Sequence, residues 1–317
     1  MCCPLAATGC AGTIHLVRLV DVTTKLRADL VPLRDQQWRL IGPDGKCCTL
    51  LDPPEELVDA LRLRSHGFSN QLDDAMEQAL ADHQLLAHTS SGGRVMVIGG
   101  GLVAAEVALA LAQAGVAVQV SAPEPSPVVI DPLGFHTSAA ASIRSWVVER
   151  CPSARIEAAP HWTAITQAQT SLAVIATATV QPDRAITDHL ARHWTPHLVA
   201  RAHYDLATVG PLIDHNGPCL ACLDLTQADH DPHWPTTLAA LTTRPAQPTA
   251  LAAHWAGVQS ALEAIWFMQG AGTTLRASTI EIDAAHSGVA RRRWSPHQDC
   301  ACRCPSPLET PALPVAA

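Results

Sequence analysis

The chain has 317 residues, 48% of them apolar but only 4% aromatic, and carries a formal net charge of -8. That length supports one large or two modest domains with a sizeable core, which must be built of Ala, Val, Leu and Ile. The acidic balance argues against nucleic acid as a partner, since the basic run Arg291-Arg292-Arg293 is short and reads as a solvated strand end.

Residues 1 to about 90 read as a small separate unit. Residues 37–40 and 47–51 are predicted strands joined by the Gly42-Pro43-Asp44-Gly45 turn. Pro53 and Pro54 start a helix over residues 55–63 with acids in its first turn. Asn70 is the expected cap of a second helix, whose apolar positions Leu72, Ala75, Met76, Ala79 and Leu80 fall on one face. Residues 85–88 return as a strand, giving a winged-helix-like α+β plan, with residues 90–93 as the linker.

From Arg94 the rhythm changes. Strands are predicted at 94–98, 116–120, 172–176 and 197–202, alternating with helices at 102–114, 138–150 and 183–193, and residues 208–213 lead into the first cysteine pair. This is the pattern of an α/β protein with a Rossmann-like parallel sheet, over residues 91–317. A long Ala-rich helix at 249–268 and a hairpin of 275–282 with 289–294 close the domain, and residues 305–317 are expected to fray. The apolar stretch 95–120 is long enough to cross a bilayer, but Gly99-Gly100-Gly101, Glu106, Gln113, Gly115 and Gln119 interrupt it. Strand, turn, helix and strand explain it without a membrane.

Eleven cysteines is an odd number, and no charged segment followed by an apolar one opens the chain. Leu5-Ala6-Ala7-Thr8-Gly9-Cys10 resembles a lipoprotein cleavage site without its basic start, so a cytoplasmic protein with reduced thiols is expected. Cys2, Cys3, Cys10, Cys47, Cys48 and Cys151 have no ligand-like neighbours and read as small apolar residues.

Two cysteine groups stand apart from these: Cys219-Leu220-Ala221-Cys222, and Cys300-Ala301-Cys302-Arg303-Cys304. Four thiolates from two distant segments suit a closed, tetrahedral structural zinc site in a lobe of about residues 214–304. The spacing alone leaves open whether Cys304 replaces Cys300 or Cys302. A catalytic zinc is not expected, because four thiolates leave no open position. His230 and His233, beside Asp229 and Asp231, read as a polar turn before the helix begun by Pro235 rather than as a second metal site.

Val97-Ile98-Gly99-Gly100-Gly101-Leu102-Val103-Ala104 fits G-x-G-x-x-A between a strand and a helix, so Gly99 and Gly101 are candidate nucleotide-binding residues. An acid should end the second strand to hold a ribose, yet Ser121 and Ala122 stand there, and Glu124 follows Pro123. The glycines also fit a purely structural role, permitting close helix–strand packing.

Several runs carry a family resemblance: Thr195-Pro196-His197-Leu198-Val199-Ala200, Val209-Gly210-Pro211-Leu212-Ile213, Pro218-Cys219-Leu220-Ala221-Cys222-Leu223-Asp224-Leu225, Asp231-Pro232-His233-Trp234-Pro235 and Arg292-Arg293-Trp294-Ser295-Pro296-His297. Together they resemble ThiF-like proteins, relatives of ubiquitin-like-protein-activating enzymes. The closest group comprises the leader-peptide-binding partners of thiazole/oxazole-forming peptide cyclodehydratases. The resemblance covers nearly the whole chain and favours Cys300 and Cys302 over Cys304 as ligands. It implies ATP at the glycine turn, Arg144 as a basic residue of that site, and a homodimer.

The resemblance also exposes departures. The segment Val128-Val129-Ile130-Asp131-Pro132-Leu133-Gly134 lacks the family's Arg, and the magnesium Asp should follow the strand at 172–176, where the chain reads Thr177-Ala178-Thr179; Asp183 comes late. Hydrogen bonds to charged groups contribute roughly 1.5–3 kcal/mol each. Losing two acids therefore costs about 3–6 kcal/mol, on the order of a hundred- to ten-thousandfold in affinity. The resemblance then implies a degenerate adenylyltransferase acting as a non-catalytic subunit. It would capture a precursor leader peptide by strand addition at the 37–51 hairpin and present it to a YcaO-type cyclodehydratase. An active ATP-dependent adenylyltransferase and an NAD- or FAD-dependent oxidoreductase are the alternatives.

Overall fold

The computed structural model describes residues 3–6, 24–26, 28–34, 36–42, 45, 47–65, 72, 74–82, 85–88, 93–122, 138–159, 161–164, 170–270 and 273–302. Asn70, Glu124, the 128–134 segment and Cys304 lie outside them. The chain falls into two compact units, Met1–Ser91 and Gly92–Ala317.

The first unit contains β1 (Cys3–Ala6), β2 (Thr24–Leu26), β3 (Asp29–Pro32), β4 (Trp38–Ile41), β5 (Cys47–Leu51), α1 (Glu55–Ser65), α2 (Asp74–Asp82) and β6 (Leu86–His88). Strand alternation turns Leu40, Cys48 and Leu50 inward, where they meet Leu61 of α1 and Leu80 of α2 in one small core. Glu55 and Glu56 open α1, and Arg62 and Arg64 close it, matching the helix dipole at both ends. Arg64 is buried and ion-paired with Glu77 of α2.

The strand order is β1-β5-β4-β3, antiparallel except for the β1–β5 pair, and β2 and β6 make a separate ladder. This corrects the expected strand edge. The 37–51 hairpin exists as β4 and β5, but β4 lies between β3 and β5, and β5 between β4 and β1. Both hairpin strands therefore have their main-chain groups paired on two sides. Among the described residues, the open edges belong to β1 and β3. Three of the four β3 residues are exposed, and Pro32 removes one donor from its end.

The second unit runs β7 (Arg94–Ile98), α3 (Leu102–Gln113), β8 (Ala117–Ser121), α4 (Ala139–Arg150), β9 (Ile156–Ala158), β10 (Leu172–Ile175), α5 (Arg184–Arg192), β11 (His197–His203), β12 (Leu206–Ile213), α6 (Leu220–His230), α7 (Trp234–Leu241), α8 (Ala250–Met268), β13 (Ser278–Asp283) and β14 (Gly288–Arg293). One eight-stranded sheet is ordered β14-β13-β12-β11-β10-β7-β8-β9. The strands β9, β8, β7, β10 and β11 are parallel, and β12 to β14 continue as an antiparallel meander.

Helices cover both faces, so central strands such as β10 (Leu-Ala-Val-Ile) are apolar throughout. On one face α3, α4 and α8 pack through small residues, among them Ala104, Ala105, Ala108, Ala252, Ala253 and Ala256. On the other, Ile186 and Leu190 of α5 and Leu220 and Leu223 of α6 cover Met96, Ile98, Ile175 and Val199. Ser138 caps α4 and Asp183 caps α5 by accepting main-chain N–H groups, from Ala141 at 3.3 Å and Ala185 at 2.9 Å.

His197 on β11 sits in this second core, 1% exposed, with Nδ1 3.0 Å from the Thr195 carbonyl. Burial pushes its pKa down to about 4; the Thr195 carbonyl opposes that shift and His215 adds to it. The folded chain therefore holds His197 neutral. Below about pH 6.5 the unfolded chain takes up a proton that the native chain refuses. Stability from this residue is thus complete above about pH 6.5 and falls as pH drops toward 4, by up to about 3 kcal/mol. Urea unfolding at pH 7.5 and pH 5 should show the loss, and His197→Asn should flatten the slope between them.

Candidate metal centre and nucleotide cradle

Cys219 is the N-cap of α6 and Cys222 stands in its first turn, so the C-x-x-C spacing places both sulfurs on one side of a helix start. The tail after β14 brings Cys300 and Cys302 to them. Sγ–Sγ separations are 3.8 Å for Cys219–Cys222, 3.7 Å for Cys219–Cys300 and 3.5 Å for Cys222–Cys302, and all four sulfurs lie within 4.8 Å of one another. Disulfide sulfurs would stand about 2.05 Å apart. A tetrahedron with Zn–S bonds of about 2.3 Å has edges of about 3.8 Å. The donor set and spacing are therefore consistent with a zinc site. Burial pushes the Cys219 thiol up, and Cys300 up to about 11, so a bound cation is what would draw out the thiolates.

The tail has a second tether. His297 donates from Nε2 to Asp229 of α6 at 2.9 Å, while its Nδ1 accepts the Asp299 N–H at 3.2 Å. The His230–His233 segment is a turn, as its sequence suggests: Asp231 accepts the His233 N–H at 2.9 Å and its carbonyl accepts from Trp234. Among the described residues the four cysteines alone make a metal-like group.

The glycine turn joins β7 to α3 as expected, and its surroundings explain its glycines. Gly99 has φ +142°, and a Cβ there would lie 1.9 Å from the Ala176 carbonyl oxygen. A Cβ on Gly101 would already stand 3.3 Å from that of Ala178. The turn is packed against the segment following β10, which is itself stitched to residues 244–246 through Val180 and Ala246 N–H bonds. Close packing therefore demands the first glycine whether or not a phosphate ever binds.

Among the described residues, no carboxylate stands where a ribose would need one. Ser121 and Ala122 end β8, each 1% exposed, and the Ser121 carbonyl accepts the Gly99 N–H at 3.0 Å. At the position expected for a magnesium ligand, the Thr179 hydroxyl lies 3.1 Å from that of Thr177 and 2.8 Å from the Gln181 carbonyl. Asp183 is occupied as the cap of α5. Arg144 is exposed on α4.

One feature of this unit was not legible in the sequence. Arg184 donates to both oxygens of Asp224, from Nε at 2.7 Å and Nη2 at 2.8 Å, and the Trp234 indole N–H reaches the same carboxylate at 3.2 Å. The pair joins α5 to α6 across 40 residues of chain. The Asp within Cys222-Leu223-Asp224 was the available hint.

A family model described as "Putative NAD(P)-binding" matches residues 86–202. No curated protein matches the sequence. Among solved structures, E. coli MccB with succinimide aligns with TM-score 0.53 and 13% identity, over 89% of this chain and 99% of that one. The microcin C7 biosynthetic enzyme MccB in complex with N-formylated MccA gives 0.54 and 12% over the same shares. PaaA gives 0.51 and 11%, over 85% of this chain and 99% of its own. The chain thus shares the fold of MccB and PaaA.

Purified under reducing conditions, the protein should carry one zinc ion per chain by elemental analysis. Cys219→Ser or Cys222→Ser should abolish it. Chelation should expose four additional thiols to a thiol reagent and lower the melting temperature, because structural zinc contributes ~10–16 kcal/mol in small domains.

Proposed function

We propose that this chain is a ThiF-like scaffold, held closed by a structural zinc at Cys219, Cys222, Cys300 and Cys302. It binds the leader of a ribosomal precursor peptide and presents it to a YcaO-type azoline-forming cyclodehydratase, without adenylating anything itself. The observation that carries this reading is a cradle without an acid among the described residues. Ser121, Ala122, Thr177 and Thr179 stand where a ribose acid and a magnesium ligand are required, and Asp183 is spent on a helix cap. Magnesium-assisted transfer of an adenylyl group depends on such carboxylates, because they hold the ion that neutralises phosphate charge.

The peptide half of the reading is supported by a structural neighbour that was solved with a peptide, MccB with N-formylated MccA. In this chain the leader would add as a strand along β3 of the small unit. Main-chain bonds would supply affinity there, and exposed Val31 a side-chain contact. A second copy of the chain would cover α8, whose outer face carries Leu251, Val258, Leu262 and Trp266, each more than 40% exposed at a helical spacing. Reduced thiols at the proposed metal site suit a cytoplasmic location. Among the described residues, no helix is long and apolar enough to cross a membrane.

Titration of the protein with a precursor peptide encoded beside it should give saturable binding. A leaderless peptide should bind at least tenfold more weakly, and ATP–pyrophosphate exchange should stay at background with or without peptide. Exchange dependent on ATP, magnesium and a peptide carboxylate would establish an active adenylyltransferase instead. The match to NAD(P)-binding sequences favours a third reading, an oxidoreductase; flavin or nicotinamide copurifying at one per chain would establish that one. For the dimer, sedimentation should give twice the chain mass, and Leu262→Glu with Trp266→Glu should reduce it to one.

A further inference from the structure

The sheet face beneath α5 and α6 holds a charged cluster that neither the glycine turn nor the four cysteines use. Strand register sets it out. Arg201 of β11 pairs with Thr208 of β12, Thr208 with Glu281 of β13, and Thr279 of β13 with Arg292 of β14. Side chains two residues apart share a face, so Val199, Arg201, Glu281, Thr279 and Arg292 all stand on the side covered by α5 and α6. Val199 does belong to that core.

Charge within the cluster is unevenly matched. Arg184 takes both oxygens of Asp224. Glu281 accepts the Thr279 hydroxyl at 3.3 Å and lies 3.7 Å from Arg292 Nε. That accounts for two arginines and both acids. Arg201 remains: the residue is part-buried, and its Nε is closed off from solvent without a hydrogen-bond partner, while Glu281 and Asp224 act on it only from beyond ion-pair distance among the described residues. Burial lowers its pKa to about 10, with Arg184 lowering it further and Glu281 and Asp224 opposing, so it stays a cation at neutral pH. A guanidinium Nε shut off from water without a partner is costly to a fold unless something supplies the missing contact.

We propose that this face is a binding site for one carboxylate, received by the free fork of Arg201 with Arg184 and Arg292 on either side. The stoichiometry points to a monoanion, since three arginines and two engaged acids leave a single positive charge. The planar fork matches a carboxylate through two parallel hydrogen bonds. Arg292 also lines a cleft of about 570 Å³ together with Trp294, Thr226 and His230, so a ligand body that reaches Arg292 has room on that side. The carboxylate belongs either to a free small acid or to an acidic side chain of a bound peptide. This site does not depend on the scaffold reading above.

The test is NMR of the full-length protein labelled with 15N-arginine, with the Arg201 Nε–Hε signal identified by its loss in Arg201→Lys, or in Arg201→Gln if the Lys variant does not fold. Potassium acetate should shift that signal saturably, while potassium chloride at equal ionic strength should not. In the Arg201 variant the acetate response of the Trp234 and Trp294 indole signals should vanish, whereas Arg144→Lys should respond as wild type does. N-acetyl-Ala-Asp-Ala-amide and its Asn counterpart then separate the sources. A response to the Asp peptide at least tenfold tighter than to acetate assigns a peptide side chain, and a response to acetate alone assigns a small acid. Equal responses to the Asp and Asn peptides, equal shifts in acetate and chloride, or tighter binding of inorganic phosphate than of acetate would each overturn the proposal.

Discussion

The convergence of four sulfurs from segments some eighty residues apart is the constraint on which the polar half of the second unit depends. Two of them sit at the start of α6 and two in the tail after β14, so closing them fixes α6 against the end of the sheet. Asp224 lies one turn further along that helix. Held there, it receives the Arg184 fork and the Trp234 indole, which positions α5 and the start of α7. His297 repeats the tether one turn on, at Asp229. A chain with 4% aromatic residues has few large side chains with which to lock such a layer by packing. Directed bonds at a few points replace them.

On the opposite face the fold closes by a different route. There α3 and α8 approach mainly through alanines and the sheet is sealed by Val, Leu and Ile, with the His254–Glu106 pair and the buried, hydrogen-bonded Glu263 as its charged exceptions. The glycine turn belongs to this closure. Gly99 is needed because the Ala176 carbonyl occupies the space a side chain would take. A Rossmann-like turn can therefore persist for packing reasons alone, and among the described residues no carboxylate stands on its rim.

The sequence revealed what local chemistry dictates. The segment from Arg94 to Ser121 was read almost to the residue because three glycines, a helix of alanines and a second apolar run punctuate it sharply. Cysteine spacing singled out the two segments that meet, since few other roles suit two close groups of thiols in a reduced protein, while the choice of Cys300 and Cys302 over Cys304 came from the family resemblance. The failures are non-local. Three-residue strands such as β9 (Ile156–Ala158) carry no periodicity to detect. The hairpin at 37–51 was found but taken for an edge, because the strands that flank it come from residues 3–6 and 29–32 and lateral pairing leaves no local mark. Arg201 sits in His-Leu-Val-Ala-Arg-Ala-His, where alternation alone does not say which face is covered by helices.

These two halves bear on chemistry at the carboxyl ends of the parallel strands, where open α/β sheets receive their ligands. A magnesium–triphosphate needs acids there to hold the ion. In this chain the ends of β8 and β10 lead into Ser121, Ala122, Thr177 and Thr179, while the end of β11 carries Arg201 and the start of α5 carries Arg184. The acids that do occur nearby, Asp224 and Glu281, already face arginines. Charge of this sign neutralises an anion directly and repels the metal that would accompany a nucleotide. The described part of the sheet end thus offers arginines and hydroxyls where a magnesium–triphosphate would need acids.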